Sequence, residues 1–117
     1  MKGGSNRITY EAKHLTCTKY VVYFTSRYGV IYTPHDNRQR FYQGHHQKIC
    51  CIAKHPFRQI VATGEVANEP TIHIWNAITL ETLIVLKTSH ENGVLHISFS
   101  KDGEYIVSVG IDKAFSL

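Results

Sequence analysis

The chain has 117 residues, 43% of them hydrophobic and 19% charged, the balance of a folded globular protein rather than a disordered segment. No apolar run approaches the ~18–20 residues needed to cross a bilayer as a helix. The opening Met1-Lys2-Gly3-Gly4-Ser5-Asn6 lacks the apolar core of a secretory signal. Three cysteines (Cys17, Cys50, Cys51) cannot all pair, which fits thiols in a reducing, cytoplasmic setting. The net charge of +4 conceals an asymmetry, +8 over residues 1–60 and −4 over residues 61–117. A basic front half could attract an acidic polymer or protein surface. No consecutive basic run occurs, however, and solvated strand faces and loops are the simpler account of those Lys and Arg side chains.

Residues 1–19 form a polar N-terminal segment with one short candidate strand, Ile8-Thr9-Tyr10. Tyr20–Thr25, Gly29–Thr33 and Gln39–Tyr42 are rich in β-branched and aromatic residues and predict three strands. Pro34-His35-Asp36-Asn37 between them is strong turn chemistry. Four further strands are expected at Ile49–Ala53, Gln59–Thr63, Thr71–Trp75 and Thr82–Leu86, separated by breakers at His55-Pro56, Gly64–Pro70 and Asn76–Thr79. Val94–Phe99 and Tyr105–Val109 flank a Lys101-Asp102-Gly103 turn. No 3.6-residue period competes with this pattern.

The strands repeat. Gly44-His45, Ile49–Ala53 and Ile60–Gly64 return as Ser89-His90, Val94–Ser98 and Tyr105–Gly110. A period of roughly 40–45 residues with a Trp near the close, here Trp75-Asn76, marks β-propeller blades. The fold class expected is therefore all-β, a partial β-propeller. It divides into the N-terminal segment 1–19, an incomplete blade at 20–43, a complete blade at 44–88 and a truncated blade at 89–117. A propeller closes with ~4–8 blades, so the remaining blades are expected in a longer parent chain.

Gly44-His45, Trp75-Asn76 and the pair Ser108 and Asp112 resemble WD-repeat proteins. That resemblance implies a hydrogen-bonded set of His, Ser or Thr, Asp and Trp in each blade. It assigns His45, Thr63 and Trp75 to the complete blade and His90, Ser108 and Asp112 to the next. Glu69 falls roughly where the complete blade's Asp belongs, inside a longer turn. Five strings narrow the likeness: Phe41–His45, His55-Pro56, Ala62–Ala67, Ile74–Ala77 with Leu80–Leu83, and Ser108–Asp112. Together with Val21–Phe24 and Tyr28–Tyr32, they resemble the echinoderm microtubule-associated protein-like family over residues 20–112. The resemblance implies a cytoplasmic, cytoskeletal and non-catalytic role with tubulin or microtubules as partner. A general protein-interaction scaffold, in ciliary or ubiquitin-linked assemblies, is the alternative. The Tyr-Gly-Tyr-Arg-Gly motif that accompanies microtubule association in that family does not occur here.

Other chemistry finds little footing. His45, His46, His55, His73, His90 and His96 with Cys50 and Cys51 could converge on a metal, but no Cys-x-x-Cys or His-x-x-x-His spacing is present. Ser108, His90 and Asp112 are triad residue types without a nucleophile elbow. Gly3-Gly4-Ser5 lacks the Lys of a phosphate loop. No cofactor, nucleic-acid or membrane partner is therefore expected, and no enzymatic activity. Cys50 and Cys51 should alternate faces of their strand. Strand aromatics are expected to pack between sheets. Arg38, Arg40, Lys48 and Arg58, near turns, are the solvent-facing candidates for partner binding.

Overall fold

A computed structural model describes residues 7–11 and 19–110. The first sheet contains β1 (Arg7–Glu11), β2 (Lys19–Thr25), β3 (Tyr28–Thr33) and β4 (Arg38–Tyr42). The second contains β5 (Ile49–Lys54), β6 (Ile60–Glu65), β7 (Thr71–Asn76) and β8 (Thr82–Lys87), and β9 (Val94–Phe99) pairs with β10 (Ile106–Gly110) in the third. Every neighbouring pair is antiparallel and consecutive in sequence. The molecule is all-β, with its sheets stacked as blades of a partial propeller. The candidate strand Ile8–Tyr10 lies within β1, which pairs with β2, so the first sheet has four strands and begins ahead of the expected blade boundary at residue 20.

Turn chemistry sets the strand ends. Pro34–Asp36 forms one 3₁₀ turn closed by Asn37, whose φ of 48° is left-handed, a conformation that Asn tolerates. Asn76 caps the β7–β8 connection, its Oδ1 accepting from the backbone N–H groups of Ile78 at 2.7 Å and Thr79 at 2.9 Å. The β9–β10 hairpin turns at Gly103 with φ 74°, where only glycine is unstrained. Asp102 braces that loop by accepting from the Ser100 hydroxyl and the Glu104 N–H.

Two apolar seams hold the sheets together. Tyr20, Val22, Ile31 and Tyr42 of the first sheet meet Ile52, Val61, Trp75 and Ala77 of the second. On the opposite face, Cys51, Ala53, Ala62 and Ile72 meet Val94 and Ile97 of the third sheet. Covered on both sides, β5 and β6 read as near-continuous apolar runs instead of alternating. The outer strand β8 is exposed along nearly its whole length.

Glycines let the first two sheets approach. A Cβ on Gly29 would stand 2.7 Å from Cζ2 of Trp75, so the indole lies directly over the bare backbone of β3. The expected alternation of Cys50 and Cys51 does not occur. The β5–β6 register slips between Ile49 and Cys51, and this bulge brings both sulfurs to the third-sheet side, against the carbonyl of Val94.

Candidate functional site

The densest polar cluster lies inside the second sheet. From Tyr42 at the end of β4 the chain passes Gln43 and Gly44 and sets His45 behind β6, fully buried. His45 Nε2 is 2.6 Å from Thr63 Oγ1, and Nδ1 is 2.8 Å from Glu65 Oε1. Trp75 Nε1 donates to the same Thr63 oxygen at 3.1 Å. The second carboxylate oxygen of Glu65 accepts from the N–H of Thr71 at 3.1 Å and from its hydroxyl at 2.9 Å. The carboxylate facing His45 is thus Glu65 and not Glu69, which is exposed in the turn. Strand alternation explains the choice: Glu65 follows Thr63 by two positions and shares its face.

Burial lowers the His45 pKa against the opposing pull of Glu65, so the ring is neutral. Burial raises the Glu65 carboxyl, but the bonds from His45 and Thr71 outweigh it and leave the group below its ordinary value. The contact is therefore a charge-assisted hydrogen bond rather than an ion pair. With His45 neutral the protons run one way. Trp75 N–H donates to Thr63, the Thr63 hydroxyl to His45 Nε2, and His45 Nδ1–H to Glu65.

A second layer, whose Tyr42 the sequence predicts only as a packing aromatic, extends this chain across the sheets. Tyr42 stacks on Trp75 with ring centroids 4.4 Å apart and planes 2° apart. Its hydroxyl lies 2.9 Å from His73 Nδ1 and 2.6 Å from Thr82 Oγ1. His73 in turn stacks on His45 at 3.8 Å. Burial, then the neighbouring His45, lowers the His73 pKa to about 4. Gly44 makes room, since a Cβ there would lie 2.2 Å from the Tyr42 hydroxyl. The signal in the sequence was the alternation of His73 with Trp75 on one strand face.

His45, Glu65 and His73 bring three ligand-type atoms within 4.8 Å of one another. The set fits a metal poorly. The two imidazoles lie face to face, so their nitrogens run side by side instead of converging, and both nitrogens of His45 are already hydrogen-bonded.

In the third sheet His90 Nε2 is 3.0 Å from Ser108 Oγ. The ring lies against Gly110, where a Cβ would stand 2.2 Å from Nδ1. Asp112 lies outside the described residues. His96 is exposed.

The four candidate basic residues do not form one patch. Arg38, Lys48 and Arg58 are exposed. Arg40 is only partly so, contrary to its solvent-facing assignment, because its guanidinium reaches across the seam and donates to the carbonyls of Ala77 and Ile78. Lys48 precedes β5, at the end opposite the β5–β6 loop that carries Arg58. That loop is pinned from below by His55. The backbone N–H groups of Phe57 and Arg58 both donate to His55 Nδ1 at 3.1 Å, and the other ring nitrogen is 3.1 Å from the Gly103 carbonyl. Phe57 is left 68% exposed at the tip.

Comparison with known proteins places this architecture. The WD domain, G-beta repeat, matches residues 36–76 and 81–117. The chain is similar to the 77 kDa echinoderm microtubule-associated protein of Strongylocentrotus purpuratus, 37% identical over 108 residues, or 86% of this chain and 15% of that protein. It is similar to the human echinoderm microtubule-associated protein-like 2, 33% identical over 110 residues, covering 86% of this chain and 17% of the relative. The rat echinoderm microtubule-associated protein-like 1 is 35% identical over 107 residues, covering 82% and 13% respectively. The chain thus spans less than one fifth of the length of these relatives. Repeated four-stranded sheets, the His-Thr-Trp contacts and these likenesses agree: the chain belongs to the WD-repeat family and resembles its echinoderm microtubule-associated members.

Proposed function

We propose that this chain is part of a non-catalytic propeller that binds microtubules through loops at the ends of its sheets. The observation that carries this reading is the likeness over most of the chain to proteins named as microtubule-associated. The geometry supports it in a general way. Apolar seams and the buried polar chain make the sheets rigid, and His55 holds the Phe57-Arg58 loop in a fixed pose. An aromatic and an Arg presented on a rigid loop suit a binding anchor, because little side-chain and loop entropy is lost on docking. Arg38 and Arg58 would meet the acidic tails of tubulin. The names of the relatives point to a cytoskeletal setting and not to a ciliary one. No helix among the described residues is long and apolar enough to cross a membrane.

Co-sedimentation with polymerised tubulin tests the proposal, with near-ultraviolet circular dichroism run alongside to establish a packed fold. Pelleting should be strongest at low salt and weaken as the screening length falls toward ~8 Å at physiological ionic strength. Reversing both exposed charges, Arg38→Glu with Arg58→Glu, should reduce it further. A folded chain that stays in the supernatant at low salt would overturn the microtubule reading. Capture of a defined protein partner by that same chain would favour the second reading, a general interaction scaffold, which rests on the WD repeats themselves.

A further inference from the structure

The adjacent thiols at the start of β5 are not used by the polar cluster, and the bulge decides where they point. Ile49 pairs with Glu65 and Cys51 with Gly64, leaving Cys50 as the extra residue. Adjacent residues of a regular strand face opposite ways. Here Cys50 Sγ lies 2.7 Å, and Cys51 Sγ 3.2 Å, from the carbonyl oxygen of Val94 at the head of β9. The sulfurs therefore share one side of the strand, in the seam between the second and third sheets.

Space is kept by Gly64 across the ladder, where a Cβ would stand 2.9 Å from Cys51 Sγ and 2.8 Å from Cβ of Val94. Ala53, Ala62 and Ile97 provide an apolar wall. Cys51 is buried and Cys50 only partly so, which makes Cys50 the more accessible thiol of the pair. Soft sulfur ligands with only the carbonyls of Val94 and Gly64 beside them suit a thiophilic centre and not a hard cation, which takes about six or more oxygens.

We propose that Cys50 and Cys51 form a dithiol site that takes a soft, thiophilic centre through both sulfurs at once, of the trivalent-arsenical type. With an arsenoxide the reaction balances without a redox step. Two As–S bonds form, the As=O bond breaks, and the oxygen leaves as water carrying both thiol protons. The acidities order the attack. A hydrogen bond from Cys51 lowers the Cys50 pKa against the effect of burial, while the same bond and burial raise Cys51. Cys50 is thus the first nucleophile and Cys51 closes the ring.

Phenylarsine oxide is the probe, used on the full chain carrying Cys17→Ser so that the third thiol does not compete. Intact mass should show one adduct per chain with loss of one water. The adduct should survive a monothiol and be removed by a dithiol. Cys50→Ser or Cys51→Ala should each weaken retention about a hundredfold or more, the scale expected when a second attachment becomes intramolecular. Neighbouring thiols in an unfolded chain could also be bridged, so the thermal midpoint decides whether the folded geometry matters. A ligand favouring the folded state raises that midpoint. A raised midpoint supports the site. No adduct on the folded chain, equal retention in either variant, or an unchanged or lowered midpoint overturns it.

Discussion

Replacing Thr63 by Val tests whether one hydroxyl couples β6, β7 and the β4–β5 connection that carries His45. The swap keeps the side chain's shape and β-branching but removes an oxygen that accepts from Trp75 at 3.1 Å and lies 2.6 Å from His45 Nε2. His45, Thr63 and Trp75 are all 0% exposed, so water cannot replace either bond. Two orphaned buried groups at about 1–3 kcal/mol each, with little change in packing, give a loss of about 3–4 kcal/mol. That is a large share of the ~5–15 kcal/mol typical of a domain. Thr63→Ser keeps the hydroxyl and loses only a methyl, worth about 1 kcal/mol. Urea unfolding of the three proteins, compared at unchanged m-value, separates the cases. If Val costs no more than Ser, the hydroxyl does not couple these elements and the reasoning fails.

Gly29→Ala should destabilise by about 1–3 kcal/mol, as overpacking does, because its new Cβ would lie 2.7 Å from a fixed, buried indole; differential scanning calorimetry would register the lower midpoint. Arg40→Ala should cost about 1–2 kcal/mol through lost charged hydrogen bonds to Ala77 and Ile78, and Arg40→Lys should restore only part of it, since a single ammonium does not reproduce the guanidinium fork. The histidines make stability depend on acid. Both folded pKa values are depressed, His73 to about 4 and His45 in the same direction. The unfolded chain therefore takes up these protons first, and stability that is complete above about pH 6.5 falls as pH drops toward 4. The His73 share should be about 1–2 kcal/mol after allowing for the solvent contact its ring keeps. Chemical denaturation at pH 7 and pH 5 should show the loss, and His73→Gln should shrink it. Below about pH 4.5 a separate fall should follow as Glu65, whose folded pKa is also depressed, is protonated.

The buried polar chain and the apolar seams answer different needs. The seams give the sheets a reason to stack, but apolar contact alone tolerates sliding. Tyr42 bonded to both His73 and Thr82, and Arg40 bonded past the end of β7, fix the first sheet against the second in one register. Hydrogen bonds of this kind must be met in full or the buried groups are left unpaired, which makes them suited to specifying a single arrangement.

Much of the architecture is local and was legible in the chain itself. Strand periodicity, the breakers at Pro34–Asn37 and Asn76–Thr79, and the recurrence of the His-bearing unit determine an all-β stack of repeated sheets, because each is set by residues close together in sequence. Ile8–Tyr10 was legible as a short strand, but which sheet it joined depended on its pairing with β2. Three decisions belonged to the tertiary structure alone. Glu65 rather than Glu69 met His45 because the strand face extends past Thr63. Arg40 turned inward because carbonyls after β7 were waiting across the seam. Cys50 and Cys51 came to one side because a bulge, invisible in composition, shifted the ladder by one residue. Side-chain identity sets what can be buried; the fit between sheets selects which atoms actually meet.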